Sequence, residues 1–302
     1  MGLSRLRGVV PGRVGVFAGS LSAQPATVQR QVAAEMEELG YGTLWYGEAL
    51  GKETFAQAGI FLAATSRLVV ASGIANIWAR DPVAMAAGGR TIAEAWPQRF
   101  MLGLGVSHAP MVEQRGHRYQ APVHAMRRYI EQMYRAAWTG PEAEMPPVVL
   151  AALGPRMVAL ARELAAGAYP YFTTTEHVGS IREQLGPEPF LAADLPVVLA
   201  EDQATARAIG DRHTSRYLRT DNYRNNLLRL GWGDEEVQGT GSDALFEAIV
   251  AWGDRDQIAE RIQAVLEAGA DQVVLNLITP DPRLPYLEEL RRLAPLVEDL
   301  AR

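Results

Sequence analysis

Short apolar segments alternate with amphipathic helical patterns along almost the whole chain, and this alternation restricts the fold more than any other feature of the sequence. The apolar segments are continuous runs, which is typical of parallel strands covered on both faces. Eight strands are predicted, with the ranges 14–17, 43–46, 68–74, 100–106, 148–153, 169–173, 195–200 and 271–278. A helical pattern follows each of them. The sequence therefore predicts a (β/α)8 TIM barrel, with a doubly wound open sheet as the structural alternative.

Residues 219–253 depart from this repeat. They separate the seventh helical pattern from a helix that begins at Asp254, whose side chain forms a capping-box-like pair with Gln257. No strand is predicted in this helical insertion, which precedes the last helix and strand of the barrel. Long loops of TIM barrels lie over the carboxyl ends of the strands, so the insertion is predicted to cover a site or to make a subunit contact. A solvated helical excursion is the alternative. The closing helix is predicted over 284–300, and residues 1–302 are interpreted as one barrel domain.

The composition excludes several classes of function. A chain of 302 residues with 48% hydrophobic residues can bury a large core as one domain. Its formal net charge of -6 gives no basic surface for nucleic acid or an acidic membrane. The absence of cysteine excludes disulfides, thiolate catalysis and cysteine-ligated metals, and no metal site is predicted. No signal-peptide core and no apolar run of about 20 residues occur, so a cytoplasmic protein with a small-molecule substrate is expected.

The fourth predicted strand ends in an unusual group of residues. Gly103 and Gly105 interrupt its apolar run, and Ser107 and His108 follow directly. Glycines inside a strand mark a bulge or the close approach of a ligand or another backbone. Because active sites of TIM barrels lie at the carboxyl ends of the strands, these residues predict the floor of a site for a flat ligand. A tight turn with a satisfied surface histidine is the alternative.

The passage from the fifth strand to its helix predicts an anion site. Leu153, Gly154 and Pro155 follow one another there. Glycine permits close approach, and proline at the first helical position leaves the next N–H groups free to bind a phosphate-sized anion. Ordinary strand-to-helix loops use the same residues, which is the alternative interpretation. An anion site beside a glycine-lined floor fits a nucleotide-like cofactor.

Several segments carry a resemblance to a known family. The main ones are SGIANIWARDP at 72–82, RFMLGLGV at 99–106 and ALGP at 152–155, and AWGD at 251–254 and EAGAD at 267–271 extend the match. In these segments the chain resembles the luciferase-like monooxygenase superfamily and, within it, the coenzyme F420-dependent oxidoreductases. The resemblance runs from about residue 14 to residue 278.

The resemblance implies a bacterial-luciferase-like barrel that binds a flavin-type ring at the strand ends. In this family the third strand commonly bulges through a cis peptide bond without proline, and the matching bond here is Gly73–Ile74. The ring is expected to rest on the bulge, and the cofactor phosphate is expected at Leu153 and Gly154. The cofactor-binding residues that the resemblance implies are Ser72, Gly73, Ile74, Ala75, Asn76, Gly105, Val106, Ser107, Ala152, Leu153 and Gly154.

Two positions depart from the sugar-phosphate dehydrogenases of the superfamily. Those enzymes have an acid followed by histidine after the second strand, whereas Glu48 is followed by Ala49 here, and they have a glutamate where this chain has His108. The sugar-phosphate reaction is therefore not expected. His108 is the predicted proton-transfer group, because an imidazole gives and takes protons near neutral pH, and Glu48 is the second catalytic candidate. His124 and His213 lie within predicted helices and are interpreted as surface groups.

Three functional classes remain in view. The first is an oxidoreductase that exchanges hydride between coenzyme F420 and a small organic carbonyl, alcohol or activated alkene. The second is an FMN-dependent monooxygenase, and the third is a noncatalytic flavin-binding barrel. Arg80, Arg115 and Arg118 lie near the relevant strand ends and are predicted to supply local charge for the polyglutamyl tail of a deazaflavin. On the resemblance, the protein is expected to be a homodimer.

Overall fold

Parallel strands buried on both faces form the centre of the molecule. The computed structural model describes residues 5–281 and 286–301, and its strands are β1 Val14–Phe17, β2 Thr43–Tyr46, β3 Val69–Ser72, β4 Ala75–Asn76, β5 Phe100–Gly105, β6 Val148–Leu150, β7 Gly167–Ala168, β8 Phe190–Leu199, β9 Ala251–Gly253 and β10 Gln272–Leu277. The barrel order is β10, β1, β2, β3, β5, β6, β7, β8. It closes because β8 pairs in parallel with β10 over a register that begins at Ala192 and Gln272. This closure confirms the TIM barrel, and the open-sheet alternative is wrong.

Helices surround the barrel and connect its strands. Within the described residues they are α1 Ala26–Glu38, α2 Thr54–Leu62, α3 Pro82–Ala95, α4 Ala109–Gln114, α5 Pro122–Arg135, α6 Pro155–Leu164, α7 Thr175–Leu185, α8 Gln203–Leu218, α9 Asp221–Arg229, α10 Asp243–Ile249, α11 Arg255–Glu267 and α12 Leu287–Ala301. The capping box of Asp254 and Gln257 at the start of α11 is confirmed. Among these helices none has the length and apolar character needed to cross a membrane. The predicted start of the closing helix at 284 lies outside the described residues.

The sixth strand differs from the prediction. It is β7, Gly167–Ala168, and the aromatic segment 169–173 lies beyond its end. A Cβ atom on Gly167 would lie 2.2 Å from the carbonyl oxygen of Phe190, so only glycine lets β7 approach β8 this closely. Tyr169 and Phe172 are buried, but Phe172 has a φ of 56°, which ends the extended conformation. The β-branched and aromatic composition of the segment therefore reflects burial rather than strand pairing.

Two further strand predictions are corrected. The seventh strand, β8, begins at Phe190 rather than at residue 195, and the acidic residue Asp194 inside its apolar run obscured this start. The segment 219–253 contains a strand after all, because β9 pairs in parallel with the end of β8, with Ala251 opposite Val197. The pairing extends β8 beyond the point where it leaves β10. The helical part of the insertion consists of α9 and α10.

Large side chains fill the barrel interior. The rings of Trp45 and Tyr169 stack with their centroids 4.4 Å apart, and Nε1 of Trp45 donates a hydrogen bond to Oε1 of Gln272 at 2.8 Å. Leu6 and Val9, which precede β1, pack against the same buried cluster. A filled interior leaves the carboxyl ends of the strands as the place where a barrel of this kind can bind a ligand.

Candidate active site

Glu48 holds a bulge in the third strand of the barrel. The peptide bond Gly73–Ile74 is cis, as the resemblance implies, and it separates β3 from β4. The buried carboxylate of Glu48 accepts hydrogen bonds from the backbone N–H of Asn76 at 2.9 Å and of Thr54 at 3.1 Å. Arg80 forms an ion pair with the same carboxylate, and the two side chains are 11% and 4% exposed. Both oxygens of Glu48 are therefore occupied by groups that position the bulge, and its catalytic role stays a prediction.

The glycines of β5 accommodate this bulge. A Cβ atom on Gly103 would lie 1.8 Å from the carbonyl oxygen of Ser72, and one on Gly105 would lie 2.4 Å from Cγ1 of Ile74. The hydroxyl of Ser72 also donates to the carbonyl oxygen of Gly103 at 2.9 Å. The sequence allowed two reasons for these glycines, a bulge in their own strand or the close approach of a ligand or another backbone. The structure shows the close approach of another backbone and its side chain.

The bulge ends in an amide group with an unused donor. Asn76 pairs with Gly105 in the register of β4 and β5, and its Oδ1 accepts a hydrogen bond from the backbone N–H of Trp78 at 3.0 Å. Its Nδ2 atom is buried and has no hydrogen-bond partner within the described residues. Buried amide donors are nearly always paired in folded proteins, so this donor marks the bulge as a place where a ligand acceptor fits.

The loop after β5 places His108 under the insertion. Ser107 has a φ of 56°, and His108 is the N-cap residue of α4. The imidazole lies against the ring of Tyr223 in α9, with 5.8 Å between the ring centroids. Burial, and then the positive charge of Arg216, lower the pKa of His108 below its ordinary value, so its ring is neutral at neutral pH. A neutral imidazole can accept a proton, so His108 stays the predicted proton-transfer group at the carboxyl end of the barrel.

Gly154 forms an open rim beside β5. It is the N-cap residue of α6, no side chain caps this helix, and Pro155 occupies the first helical position. A Cβ atom on Gly154 would meet nothing within 4 Å. The segment joins the rest of the site because β6 pairs with β5, and the backbone N–H of Ala151 donates to the carbonyl oxygen of Leu104 at 2.9 Å. Free N–H groups at an uncapped helix start with open space in front of them have the geometry of an anion site.

The remaining predicted cofactor residues lie along the same edge of the barrel. Ala75 and Ala152 are buried, whereas Val106, Ser107 and Leu153 are half-buried. The carbonyl oxygen of Val106 accepts a hydrogen bond from Nε1 of Trp78 at 2.9 Å. The fold therefore brings the predicted set together at the carboxyl ends of β3 to β6.

The arginines expected to supply local charge are mostly engaged. Arg80 pairs with Glu48 and, at 2.9 Å, with Glu53. Arg115 donates to a loop carbonyl oxygen at 2.5 Å. Arg118 is exposed. Two of the three guanidinium groups are therefore engaged in contacts within the protein.

Aromatic rings from the insertion and the preceding helix cover the centre of the barrel mouth. Tyr217 in α8 and Tyr223 in α9 pack edge to face with ring centroids 5.2 Å apart. Tyr171, which follows β7, lies 5.0 Å from the ring of Tyr217 and 6.2 Å from that of Tyr223. Through Tyr223 the cluster presents an apolar surface to His108.

A series of hydrogen-bonded polar side chains lies next to this aromatic cluster. The sequence did not indicate that they belong to the site. Asp194 in β8 accepts a hydrogen bond from Nδ2 of Asn276 at 3.2 Å, and the same Nδ2 donates to the hydroxyl of Tyr171 at 2.7 Å. The hydroxyl groups of Tyr171 and Tyr217 are 2.9 Å apart. Burial raises the pKa of Asp194 well above its ordinary value. The sequence signal that could have indicated this polar chain is Asp194, a single polar residue at an interior-facing position of an apolar strand.

His213 contradicts its interpretation as a surface group. Its ring packs 4.8 Å from that of Tyr217 and 6.0 Å from that of Phe172, and Nε2 is buried with no partner in the described part of the chain. Burial lowers the pKa of His213 to about 3, so the ring is neutral. Position within a helix does not decide which face is covered, and the segment after β7, with Tyr171 and Phe172, covers His213 here.

A cleft of about 500 Å³ opens at the carboxyl ends of β1 and β10. Phe17, Tyr171 and Asn276 form part of its inner wall, and side chains of α8 form its outer wall. No group of three or more acidic or histidine side chains in residues 5–281 and 286–301 is placed to hold a metal ion.

Comparison with known proteins identifies the family. A sequence profile of the luciferase-like monooxygenase family matches residues 9–272. The chain belongs to the luciferase-like monooxygenase family. A relative from Mycobacterium tuberculosis (strain ATCC 25618 / H37Rv), named "Putative coenzyme F420-dependent oxidoreductase Rv3520c", is 26% identical over an alignment that covers 94% of this chain and 99% of the relative.

Solved structures share the fold. The coenzyme F420-dependent tetrahydromethanopterin reductase from Methanopyrus kandleri has a TM-score of 0.75 at 15% identity, over 97% of this chain and 100% of that chain. An F420-dependent secondary alcohol dehydrogenase in complex with an F420-acetone adduct has a TM-score of 0.75 at 14% identity, with 97% and 100% coverage. A type II Baeyer-Villiger monooxygenase from Pseudomonas putida in complex with FMN has a TM-score of 0.70 at 13% identity, with 97% and 98% coverage. At these identities the likeness is one of fold.

Proposed function

We propose that this oxidoreductase transfers a hydride between coenzyme F420 and a small organic carbonyl, alcohol or activated alkene. The observation that carries the proposal is the buried, unpartnered Nδ2 of Asn76 on the cis bulge. The relative named as F420-dependent and the two F420-dependent structures of the same fold support the choice of cofactor. A deazaflavin supplies the hydride chemistry when it is bound.

The residues of the chain fit such a cofactor. The bulge from Gly73 to Asn76 would bear the ring, and the Nδ2 donor of Asn76 would find its missing acceptor there. The open rim of Gly154 and the uncapped start of α6 would hold the phosphate. Glu48 and Arg80 fix the bulge from behind. The aromatic cluster over the mouth limits the access of water to the reacting atoms.

His108 is the proposed proton-transfer residue. Its lowered pKa keeps the ring neutral at neutral pH, so it accepts a proton when the substrate is an alcohol and returns that proton in the reverse direction. The contact with Tyr223 limits the movement of the imidazole. The charge of Arg216 disfavours the protonated form, which shifts the optimum for proton acceptance to lower pH.

An FMN-dependent monooxygenase is the second candidate. The FMN-bound monooxygenase of the same fold favours it, and a phosphate of FMN would use the same rim at Gly154. Separate titrations of the purified protein with coenzyme F420 and with FMN, followed by absorbance and fluorescence, discriminate between the two. We expect the tighter response with F420. A tighter response to FMN would overturn the proposal in favour of the monooxygenase, and no response to either would favour the noncatalytic barrel.

A further inference from the structure

The cleft at β1 and β10 is separate from the predicted cofactor floor but adjoins it. None of the residues that line the cleft belongs to the set predicted to bind the cofactor. Phe17 connects the two regions, because it lines the cleft and its ring lies 3.6 Å from the position that a Cβ atom would take on Gly73. A molecule in the cleft and a ring on the bulge would therefore meet at Phe17.

One face of α8 lines the cleft with arginines. Arg212, Arg216 and Arg219 recur at the spacing of i, i+4 and i+7, which puts them on the same side of a helix, and all three are exposed. No carboxylate of the described residues forms an ion pair with any of them. The two other charged side chains in this part of α8, Arg207 and Asp211, pair with each other at 3.0 Å. Three unpaired positive charges in a chain of net charge -6 give the cleft a local positive potential.

The base of the cleft carries polar groups. The hydroxyls of Tyr171 and Tyr217, 2.9 Å apart, and the amide of Asn276 line it together with His213. The Nε2 atom of His213 is buried and has no hydrogen-bond partner within the described residues, and a ligand in the cleft would supply that partner. The cleft thus offers cationic groups at its rim and neutral hydrogen-bonding groups at its base.

We propose that this cleft binds the substrate and that the substrate carries an anionic group, a carboxylate or a phosphate, which Arg212 and Arg216 recognise. Guanidinium groups bind such anions through paired, charge-assisted hydrogen bonds. The neutral end of the substrate extends past Tyr217 and Tyr171 towards Phe17 and the cofactor floor. This assignment rests on the proposed oxidoreductase function, since it names the class of molecule that meets the cofactor.

Equilibrium binding tests the assignment without turnover. The probes are inorganic phosphate and citrate, with glycerol as the uncharged control, titrated calorimetrically at low ionic strength because screening weakens such contacts. The test variant is R212Q/R216Q, and R212K/R216K retains the charge. The matched control is R13Q/R67Q, which removes two exposed arginines without ion pairs in the described residues, at the amino ends of β1 and β3. Circular dichroism melting verifies that each variant is folded.

We expect the wild type to bind citrate or phosphate but not glycerol. The R212Q/R216Q protein should bind at least about 10-fold more weakly, R212K/R216K should fall between it and the wild type, and the control should stay within about 2-fold. Absence of anion binding to the wild type, or equal affinity in R212Q/R216Q, would overturn the assignment. If the melts show that R212Q/R216Q is unfolded, the folded R212K/R216K protein decides. Weaker anion binding than in the wild type supports the assignment, because lysine keeps the charge but loses the paired contact, and affinity equal to the wild type overturns it. Loss of binding in R13Q/R67Q would also contradict a local site.

A second measurement separates this assignment from the proposed function and from the cofactor tail. The same variants are titrated with coenzyme F420 and with the deazaflavin that lacks the oligoglutamyl tail, followed by absorbance. Unchanged affinity of R212Q/R216Q for both supports a substrate site. Weaker binding of the tailed form alone would assign the arginines to the cofactor and overturn the inference. A wild type that binds anions but no deazaflavin would instead refute the proposed function.

Discussion

Replacing Gly154 by valine isolates the role of the α6 rim. A Cβ atom at this position meets nothing within 4 Å, and the backbone has a φ of -92° and a ψ of 159°, which a β-branched residue adopts without strain. Valine reduces the freedom of the unfolded chain, which stabilises the protein by about 0.4–1 kcal/mol, but it is a poorer N-cap residue than glycine by about the same amount, so the stability should stay close to that of the wild type. Any loss in the G154V protein therefore comes from a ligand that can no longer approach.

The magnitude follows from the contacts at stake. A hydrogen bond from a backbone N–H to a charged phosphate contributes about 1.5–3 kcal/mol, and its loss corresponds to about 10- to 100-fold in Kd. We expect this weakening in absorbance titrations with coenzyme F420, together with a melting temperature close to that of the wild type. Gly179→Ala, in α7 with 3.7 Å to its nearest neighbour, is the matched control and should bind like the wild type. Unchanged affinity of G154V for both F420 and FMN would refute an anion site at this rim.

The remaining predictions concern acid–base groups and assembly. His108→Ala should lower turnover about 10²- to 10⁴-fold and leave cofactor affinity intact, and full turnover in that variant would exclude proton transfer by His108. Glu48→Gln should lower the free energy of unfolding by about 3 kcal/mol in urea titrations, because it breaks the buried pair with Arg80; a change below about 1 kcal/mol would contradict the positioning role. Below pH 6.5 His213 binds a proton in the unfolded state, but in the folded state it does so only near pH 3. The free energy of unfolding therefore falls as the pH is lowered through this range. The His213→Phe variant should show a shallower fall of melting temperature with pH. We propose a homodimer, and light scattering that gives a monomeric mass would refute it.

The contacts of Glu48 change how the site is understood. The sequence places an acid at the end of the second strand, where catalytic residues of TIM barrels occur. In the structure its carboxylate accepts the backbone N–H groups of Asn76 and Thr54 and pairs with Arg80. These contacts engage both oxygens of the buried carboxylate, so it holds the backbone of the bulge in place. His108 stays the first proton-transfer candidate.

The sequence by itself determined the barrel and the position of the site along the strands. Continuous apolar runs followed by amphipathic helices have few packing solutions, namely a TIM barrel or a doubly wound sheet, and eight such units favour the barrel. The motif of the third strand indicated the cis bond Gly73–Ile74 through the resemblance to the family. The rim at Gly154 followed from the order of glycine and proline at the start of a helix.

Only the tertiary structure decided which groups meet at the barrel mouth. Local patterns gave β7 the wrong residues, since its pairing with the neighbouring strand β8 requires glycine at 167, where a Cβ atom would lie 2.2 Å from the carbonyl oxygen of Phe190. They also left His213 on the surface and gave no role to Asp194, because burial of a side chain depends on which distant segments cover it. Hydrophobic periodicity specifies the face of an element, whereas the pKa of a buried group and the shape of a cleft are set by neighbours far away in the chain.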